Sequence, residues 1–290
     1  MENIASYFLK KATITCGGKL LDLSNPVVMG IVNVTPDSFY IGSRFTNNRR
    51  VVRHVGTMLD AGARIIDVGA YSSRPGAKDI SAKEELERLT PAMKAIRKSF
   101  PEAIISIDTF RAQVARRMVE EFGVDIVNDI SGGELDPAMF ETVADLSVPY
   151  ILMHMKGNPL TMQSGASYDN LEKELILYFS EKLKALNLLG VKDVILDPGF
   201  GFGKTIDHNF ELLARLNDFR VFDLPILAGF SRKSMIYKTI DTTPDGALNG
   251  TTVLNTIALL KGVSILRVHD VREAVETIQL LHSYKKFRHF

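Results

Sequence analysis

Eight short β-branched runs, each followed by a longer amphipathic stretch, constrain the fold of this 290-residue chain more than any other feature. Strands that alternate strictly with helices predict parallel pairing through crossover helices. The predicted strands are 27–32, 64–68, 103–107, 124–128, 149–153, 193–197, 225–229 and 263–268. The clearest helical stretches are 83–98, 111–122, 169–189 and 270–286. A glycine that can end a helix in the left-handed conformation precedes four of the strands, at Gly62, Gly123, Gly190 and Gly262.

The near-equal size of these eight units favours a closed barrel over the alternative, a doubly wound open sheet. A (β/α)8 barrel typically takes about 250 residues as one unit. Residues 12–23 form two alternating runs around Gly17 and Gly18, which predicts a tight β-hairpin. We therefore predict an α/β fold, a (β/α)8 TIM barrel with a short N-terminal β-hairpin. The prediction is a single domain over residues 1–290, with the barrel at about 27–282.

Charge and cysteine content narrow the class of protein. The chain has 35 Lys and Arg against 34 Asp and Glu, so it lacks the basic surplus typical of nucleic-acid binding. Its single cysteine, Cys16, cannot form a disulfide within the chain, which fits a reducing compartment. The N-terminus lacks the apolar stretch of a signal peptide, and no apolar run approaches the roughly 20 residues that span a bilayer. We expect a cytoplasmic enzyme that binds neither nucleic acid nor membrane.

Polar residues follow most of the predicted strands, at the end of the barrel where active sites of this fold lie. A lone Asp there is usually a helix N-cap, and we assign that role to Asp270. Asp129 is expected to point away from its neighbour Asn128, because successive strand residues face opposite sides. Asp67 and His154 also fall at strand ends, with no role assigned. Two chemical sets remain: the acceptor-rich Asp108, Asn128 and Asp197, which suit a flat heterocycle with N–H donors, and the basic Arg74, Lys233, Arg267 and His269, which suit a phosphate or pyrophosphate.

Two loops, 33–45 and 69–78, are rich in Gly, Pro and Ser and are expected to be mobile surface loops. Residues 199–205, GFGFGKT, look superficially like a phosphate-binding loop. Only three residues separate Gly199 from Gly203, so the segment lacks the GxxxxGK[ST] spacing. The sequence therefore argues against a P-loop.

Eight motifs then occur in the order found in dihydropteroate synthases: GIVNVTPDSF, SSRPGA, SIDT, NDISGG, MHMKGNPLTMQ, LDPGFGFGKT, GFSRKS and RVHDV. The chain resembles this family over roughly residues 27–282. The resemblance implies that 7,8-dihydropterin-6-ylmethyl diphosphate condenses with p-aminobenzoate to give 7,8-dihydropteroate and pyrophosphate, in folate biosynthesis. It also implies Mg²⁺, a homodimer, and a mechanism in which pyrophosphate leaves before the amine attacks.

The resemblance further implies roles for individual residues. Asn33 is expected to bind the Mg²⁺ that also holds the pyrophosphate, since an amide oxygen suits this hard cation. The implied pterin contacts are Asp108, Asn128, Asp197 and Lys233, and the implied pyrophosphate contacts are Asn33, Arg74, Arg267 and His269. The implied p-aminobenzoate contacts are Ser73, Phe202 and Ser234. The expected catalytic set is Asn33, Asp37, Arg74, Lys233, Arg267 and His269.

The chain departs from the family pattern in its two loops. Ile41 stands where the family often has a second Asp, which leaves Asp37 as the nearby acid. Tyr71 stands in place of a Glu, and Ser73 in place of a Thr whose hydroxyl it keeps. Two rival readings stay open: a pterin-binding methyltransferase acting on methyltetrahydrofolate, and a catalytically silent pterin-binding barrel. Release of pyrophosphate from the two substrates would separate them.

Overall fold

The computed structural model describes residues 13–35, 44–72, 79–157 and 166–287, with the side chains of 44–47 left aside. It confirms the predicted α/β barrel with an N-terminal hairpin. The hairpin strands are β1 (Thr13–Cys16) and β2 (Lys19–Asp22), joined through Gly17 and Gly18 at φ of 54° and 78°. Positive φ at both central residues is what a type I′ hairpin turn requires.

The barrel strands are β3 (Val27–Asn33), β4 (Ile65–Gly69), β5 (Ile104–Asp108), β6 (Ile126–Asp129), β7 (Tyr150–Met153), β8 (Val194–Asp197), β9 (Leu227–Ala228) and β10 (Ile265–Val268). All neighbours pair in parallel, in the order β8-β7-β6-β5-β4-β3-β10-β9. A parallel bridge from Leu196 to Ile226, with the Leu196 amide 2.9 Å from the Pro225 carbonyl oxygen, brings the two edges together. The eight strands therefore form a nearly closed barrel.

The seventh predicted strand is much shorter than expected. Residues 225–229 were predicted as strand, but β9 is confined to Leu227–Ala228. Pro225 has no amide hydrogen and cannot donate a hydrogen bond to a neighbouring strand. It therefore pairs only through its carbonyl oxygen, which accepts from the Leu196 amide. The other seven strands overlap their predicted ranges within about two residues.

The helices around the barrel are α1 (Arg44–Asp60), α2 (Ala82–Ser99), α3 (Ala112–Phe122), α4 (Met139–Leu146), α5 (Leu171–Leu188), α6 (Ile206–Ala214), α7 (Ser234–Tyr237), α8 (Leu248–Leu260) and α9 (Val271–Lys285). Short 3-10 turns cover Leu216–Phe222 and Asp245–Ala247. The four predicted helix-ending glycines all have positive φ, between 59° and 101°. No described helix has the length and apolar character needed to cross a membrane.

Two apolar cores lie on the two sides of the strands. The outer core packs the helices against outward-facing strand residues such as Val28, Val68 and Ile107. The inner core fills the N-terminal end of the barrel, where Ile14 and Leu21 of the hairpin meet a ring of inward strand residues. That ring contains Met29, Ile65, Ile126, Ile151, Ile195, Leu227 and Ile265. The hairpin therefore closes the bottom of the barrel and leaves the opposite end for the site.

Candidate active site at the C-terminal mouth

Inward-facing positions change from apolar to polar along each strand. Each of four inner-core isoleucines is followed, two residues later, by a polar or charged residue. The two side chains of each pair lie on the same face of the strand, because side chains alternate with a period of two residues. The pairs are Ile65 with Asp67, Ile126 with Asn128, Ile195 with Asp197, and Ile265 with Arg267. Asn33, Gly69, Asp108 and Asn128 lie at one level across four neighbouring strands. The fold thus brings most of the predicted acceptor set to one mouth.

Asp67 links the acceptor set to the basic set. It is fully buried, and its Oδ2 accepts from Arg267 Nε at 2.7 Å and from Asn128 Nδ2 at 3.1 Å. Arg267 also donates through Nη2 to Asp108 Oδ2 at 2.5 Å. Arg267, predicted from resemblance at the pyrophosphate, therefore lies between two carboxylates beside the pterin set. Asp67 received no role from the sequence, although its place at a strand end was visible there.

Burial and neighbouring charges shift the pKa of four groups at the mouth: Asp108, Asp197, Lys233 and Arg267. Burial raises the pKa of Asp108 to about 7, a rise that Arg267 limits, and it raises the pKa of Asp197, with Lys233 opposing. Burial lowers the pKa of Lys233 to about 8, while Asp197 opposes that fall. Burial also disfavours charged Arg267, but Asp67 and Asp108 hold its pKa above the usual range. Arg267 is therefore the fixed positive charge of the mouth.

Lys233 lies in the segment after β9 and reaches toward the loop that follows β8. Its ammonium donates to the backbone oxygen of Phe200 and lies 4.7 Å from the centre of the Phe202 ring. Ser234 follows directly as the first residue of α7 and is half-buried. The predicted pterin residue Lys233 and the predicted p-aminobenzoate residue Phe202 are therefore in contact. Phe202 and Phe110 also pack against Ile130, Met153 and Met155, which form an apolar wall at the mouth.

The β8 loop, defined as residues 199–205, is held by a buried lysine. Lys204 Nζ donates to the backbone oxygens of Gly199 at 3.0 Å and Phe202 at 3.2 Å, and lies 3.0 Å from His154 Nδ1. Gly199 has a φ of 73°, and a Cβ there would meet the His154 carbonyl oxygen at 2.0 Å. Burial lowers the pKa of Lys204 to about 7 and that of His154 to about 2. Both side chains serve to position this loop.

The remaining basic residues surround the end of β10. Arg232, at a φ of 56°, binds both carboxylate oxygens of Asp270 at 2.9 Å. The prediction that Asp270 caps the following helix is wrong: it occupies the cap position, but its side chain makes no cap hydrogen bond. The competing ion pair with Arg232 takes the carboxylate instead. The His269 amide donates to Ser231 Oγ at 3.2 Å, which fixes the backbone just beyond Arg267.

Asp129 does point away from the barrel interior, as predicted. Its Oδ2 accepts from the buried Tyr150 hydroxyl at 2.7 Å, and its Oδ1 from the Ser131 amide and hydroxyl, each at 2.7 Å. The Gly133 amide completes the set at 2.8 Å. Asp129 is therefore a structural acceptor behind the strand, whereas its neighbour Asn128 faces the mouth.

Tyr71, the unexplained departure from the family pattern, packs on the rim of the mouth. Its ring meets Phe110 edge to face, with centroids 5.0 Å apart, and the Arg111 guanidinium lies 5.4 Å from its centre. The tyrosine thus extends the apolar wall that Phe110 begins. The predicted residues Asp37, Ser73 and Arg74, together with Ile41, lie outside the described residues.

Asn33 ends β3 and is half-buried at the same level as Asp108 and Asn128. Within the described ranges, no group of three or more His, Cys, Asp or Glu residues is arranged to hold a metal ion. One amide oxygen suits Mg²⁺ that takes its other ligands from phosphate oxygens and water.

Comparison with known proteins identifies the family of this chain. Residues 29–269 match the family described as pterin binding enzyme. Dihydropteroate synthase of Escherichia coli is 44% identical over 268 residues, covering 92% of this chain and 94% of that protein. The Synechocystis dihydropteroate synthase is 41% identical, covering 93% and 94%.

Crystal structures of similar proteins share the fold. Yersinia pestis dihydropteroate synthase, in a sulfonamide drug complex, superposes with a TM-score of 0.88 at 39% identity, covering 94% of this chain and 99% of that one. The Xanthomonas albilineans enzyme with 4-aminobenzoic acid gives 0.88 at 34% identity, covering 96% and 99%. Fold and mouth together define a barrel enzyme of the pterin-binding class. Within that class, the chain belongs to the dihydropteroate synthase family of transferases.

Proposed function

We propose that this protein joins 7,8-dihydropterin-6-ylmethyl diphosphate to p-aminobenzoate, giving 7,8-dihydropteroate and pyrophosphate in folate biosynthesis. The observation that carries the proposal is the meeting of Asp108, Asn128 and Asp197 with Lys233 and Arg267 at one barrel mouth. The dihydropteroate synthases that it resembles support the same reaction.

The acceptor set provides the recognition of the pterin. Asp108 and Asp197 are carboxyl groups held in a largely desolvated mouth, and a heterocycle with N–H donors would pair with them. A buried polar group left without a partner costs about 1–3 kcal/mol, so a ring lacking these donors is disfavoured. Substrate choice at the ring then follows from the pairing itself.

The reaction breaks the bond between the pterin methylene carbon and the diphosphate oxygen. Pyrophosphate leaves with the electron pair, and the resulting cation is delocalised over the pterin ring. The lone pair of the aromatic amine then forms the carbon–nitrogen bond, and the nitrogen loses a proton. No side chain of the protein is alkylated, so the protein needs no strong nucleophile.

The protein's part is to stabilise the departing negative charge. Arg267 keeps its charge at any working pH because Asp67 and Asp108 flank it. His269 lies two residues further on, just beyond β10, and is proposed to add to this charge. Asn33 would hold Mg²⁺, which would supply further positive charge to the phosphate oxygens. Arg74 and Asp37 belong to the same proposal on resemblance. Phe202, Ser234 and Ser73 are proposed to receive p-aminobenzoate, with Phe202 on the apolar wall.

We also propose that the protein is a cytoplasmic homodimer. Adjacent helices α8 and α9 expose several large apolar side chains, which a second copy of the chain would cover. They are Val253, Leu260, Leu280 and Tyr284. Light scattering at micromolar concentration tests this: twice the chain mass supports a dimer, and a single chain mass refutes it.

The direct test of the proposed reaction is pyrophosphate release from both substrates with Mg²⁺. We expect release that depends on p-aminobenzoate, and Arg267→Ala and His269→Ala should weaken binding of the diphosphate ester more than binding of phosphate-free pterin. Binding of pterin without release would indicate a silent barrel. Methyl transfer from methyltetrahydrofolate would indicate the rival methyltransferase.

A further inference from the structure

Asp67 touches the residues of both chemical sets without belonging to either. It lies on β4, two residues beyond Ile65 of the inner core, with no solvent exposure. Its Oδ2 receives hydrogen bonds from Arg267 Nε and Asn128 Nδ2. One carboxylate oxygen therefore holds two neighbouring side chains of the mouth at once.

This contact determines how Asn128 faces the mouth. An ionised carboxylate only accepts hydrogen bonds, so the amide atom that meets Asp67 must be the nitrogen. The amide oxygen of Asn128 is then left as the acceptor for a ligand. The opposite orientation would place two acceptors against each other, which is unfavourable at a buried site.

Asp67 is also poorly satisfied for a residue that only supports the fold. Among the described residues, its Oδ1 and the Oγ of Ser106 are buried without a hydrogen-bond partner. The two residues are register partners on neighbouring strands. Buried polar atoms in folded proteins are nearly always paired, and exceptions call for an explanation. A carboxylate kept for the orientation of Asn128 and Arg267 supplies that explanation.

We propose that Asp67 is a positioning residue for pterin recognition, which orients the Asn128 amide and fixes the Arg267 guanidinium. The inference rests on the proposed function, because it assumes that the ligand of Asn128 is the pterin. It predicts that Asp67 acts through Asn128 rather than by touching the ring.

The two side chains can be exchanged to test this. In Asn128→Asp, two carboxylates face each other, and affinity for phosphate-free 7,8-dihydropterin should fall by roughly tenfold or more. In the double variant Asp67→Asn with Asn128→Asp, the new amide can donate to the new carboxylate. An acceptor again faces the ligand, but the new amide nitrogen stands where an oxygen accepted from Arg267 Nε, so only part of the affinity should return.

Calorimetric titration of 7,8-dihydropterin into the wild type, both single variants and the exchanged pair gives the answer. Ser106→Ala is the matched control, since this buried neighbour makes no hydrogen bond to Asn128 or Arg267, and it should leave affinity unchanged. The KM for p-aminobenzoate should stay the same wherever activity remains, which separates positioning from general damage. If Asp67→Asn alone fails to fold, Asn128→Asp and the exchanged pair still decide the matter.

An exchanged pair that binds no better than Asn128→Asp would overturn the proposal, as would equal loss in Ser106→Ala. A wild type that fails to bind 7,8-dihydropterin would instead refute the proposed function. The two failures are therefore distinguishable in one series of titrations.

Discussion

The two ends of the barrel are built from the same strands but carry opposite chemistry. At the bottom, inward residues such as Ile65 and Ile195 pack against Ile14 and Leu21 of the hairpin. Two residues further along, Asp67 and Asp197 face the mouth. A step of about 7 Å along a strand therefore separates a sealed apolar layer from a charged one. Stability and ligand binding should therefore respond to different substitutions on one strand.

The largest effect is expected from the bottom layer. Ile195→Ala removes a fully buried side chain from the inner core, where neighbouring strands limit collapse around the gap. We expect a loss of about 2–5 kcal/mol in the free energy of unfolding. Urea denaturation measures this loss, and calorimetry on the folded variant should show unchanged pterin affinity. A variant as stable as the wild type would show that the hairpin end is not a packed core.

A smaller loss of stability is expected from a residue on the outer face of a barrel strand. Asp129→Ala leaves the Tyr150 hydroxyl and the backbone amides of Ser131 and Gly133 without their acceptor. Stability should fall by about 1–3 kcal/mol, with little change in pterin affinity, because Asp129 faces the helices. Asn128→Ala is the matched neighbour and should show the reverse. Thermal unfolding and pterin titration of both variants measure these changes. The same pattern of losses in both variants would contradict the assignment of the two residues to opposite faces of the strand.

His154 lies at the mouth of the barrel, but its role is structural because it helps to position the β8 loop. Burial, with Lys204 and Lys156 nearby, lowers its pKa from 6.5 to about 2. His154 therefore becomes protonated below about pH 6.5 in the unfolded chain, but only near pH 2 in the folded protein. The stability linked to this site is complete above pH 6.5 and is lost as pH falls, by up to about 1.4 kcal/mol per pH unit.

His154→Gln should reduce the loss of stability between pH 6.5 and 5 relative to the wild type. Urea denaturation at several pH values in this window measures the difference. Parallel pH profiles for the two proteins would mean that His154 titrates normally in the folded state.

The sequence predicted the architecture well because period-two and helical patterns are local. It placed seven strands within about two residues, but β9 covers only Leu227–Ala228 of the predicted 225–229. It also identified Asp108, Asn128 and Asp197 at strand ends. It gave no role to Asp67, because a strand pattern does not show that Arg267, 200 positions away, closes on the same carboxylate. Asp270 failed as a cap for the same reason, since its partner Arg232 comes from another unit.

The central claim is that the mouth of the barrel binds pterin while its bottom stabilises the fold. Substitutions on a single strand test this claim most directly. Asp197→Asn lies two positions from Ile195, keeps an oxygen that can accept from the buried Gly199 amide, and replaces the other carboxylate oxygen with a donor. We expect its pterin affinity to fall by about 1–3 kcal/mol while its unfolding free energy stays close to that of the wild type. Calorimetry and urea denaturation of the one variant give both numbers. Unchanged pterin affinity together with lost stability would contradict the account.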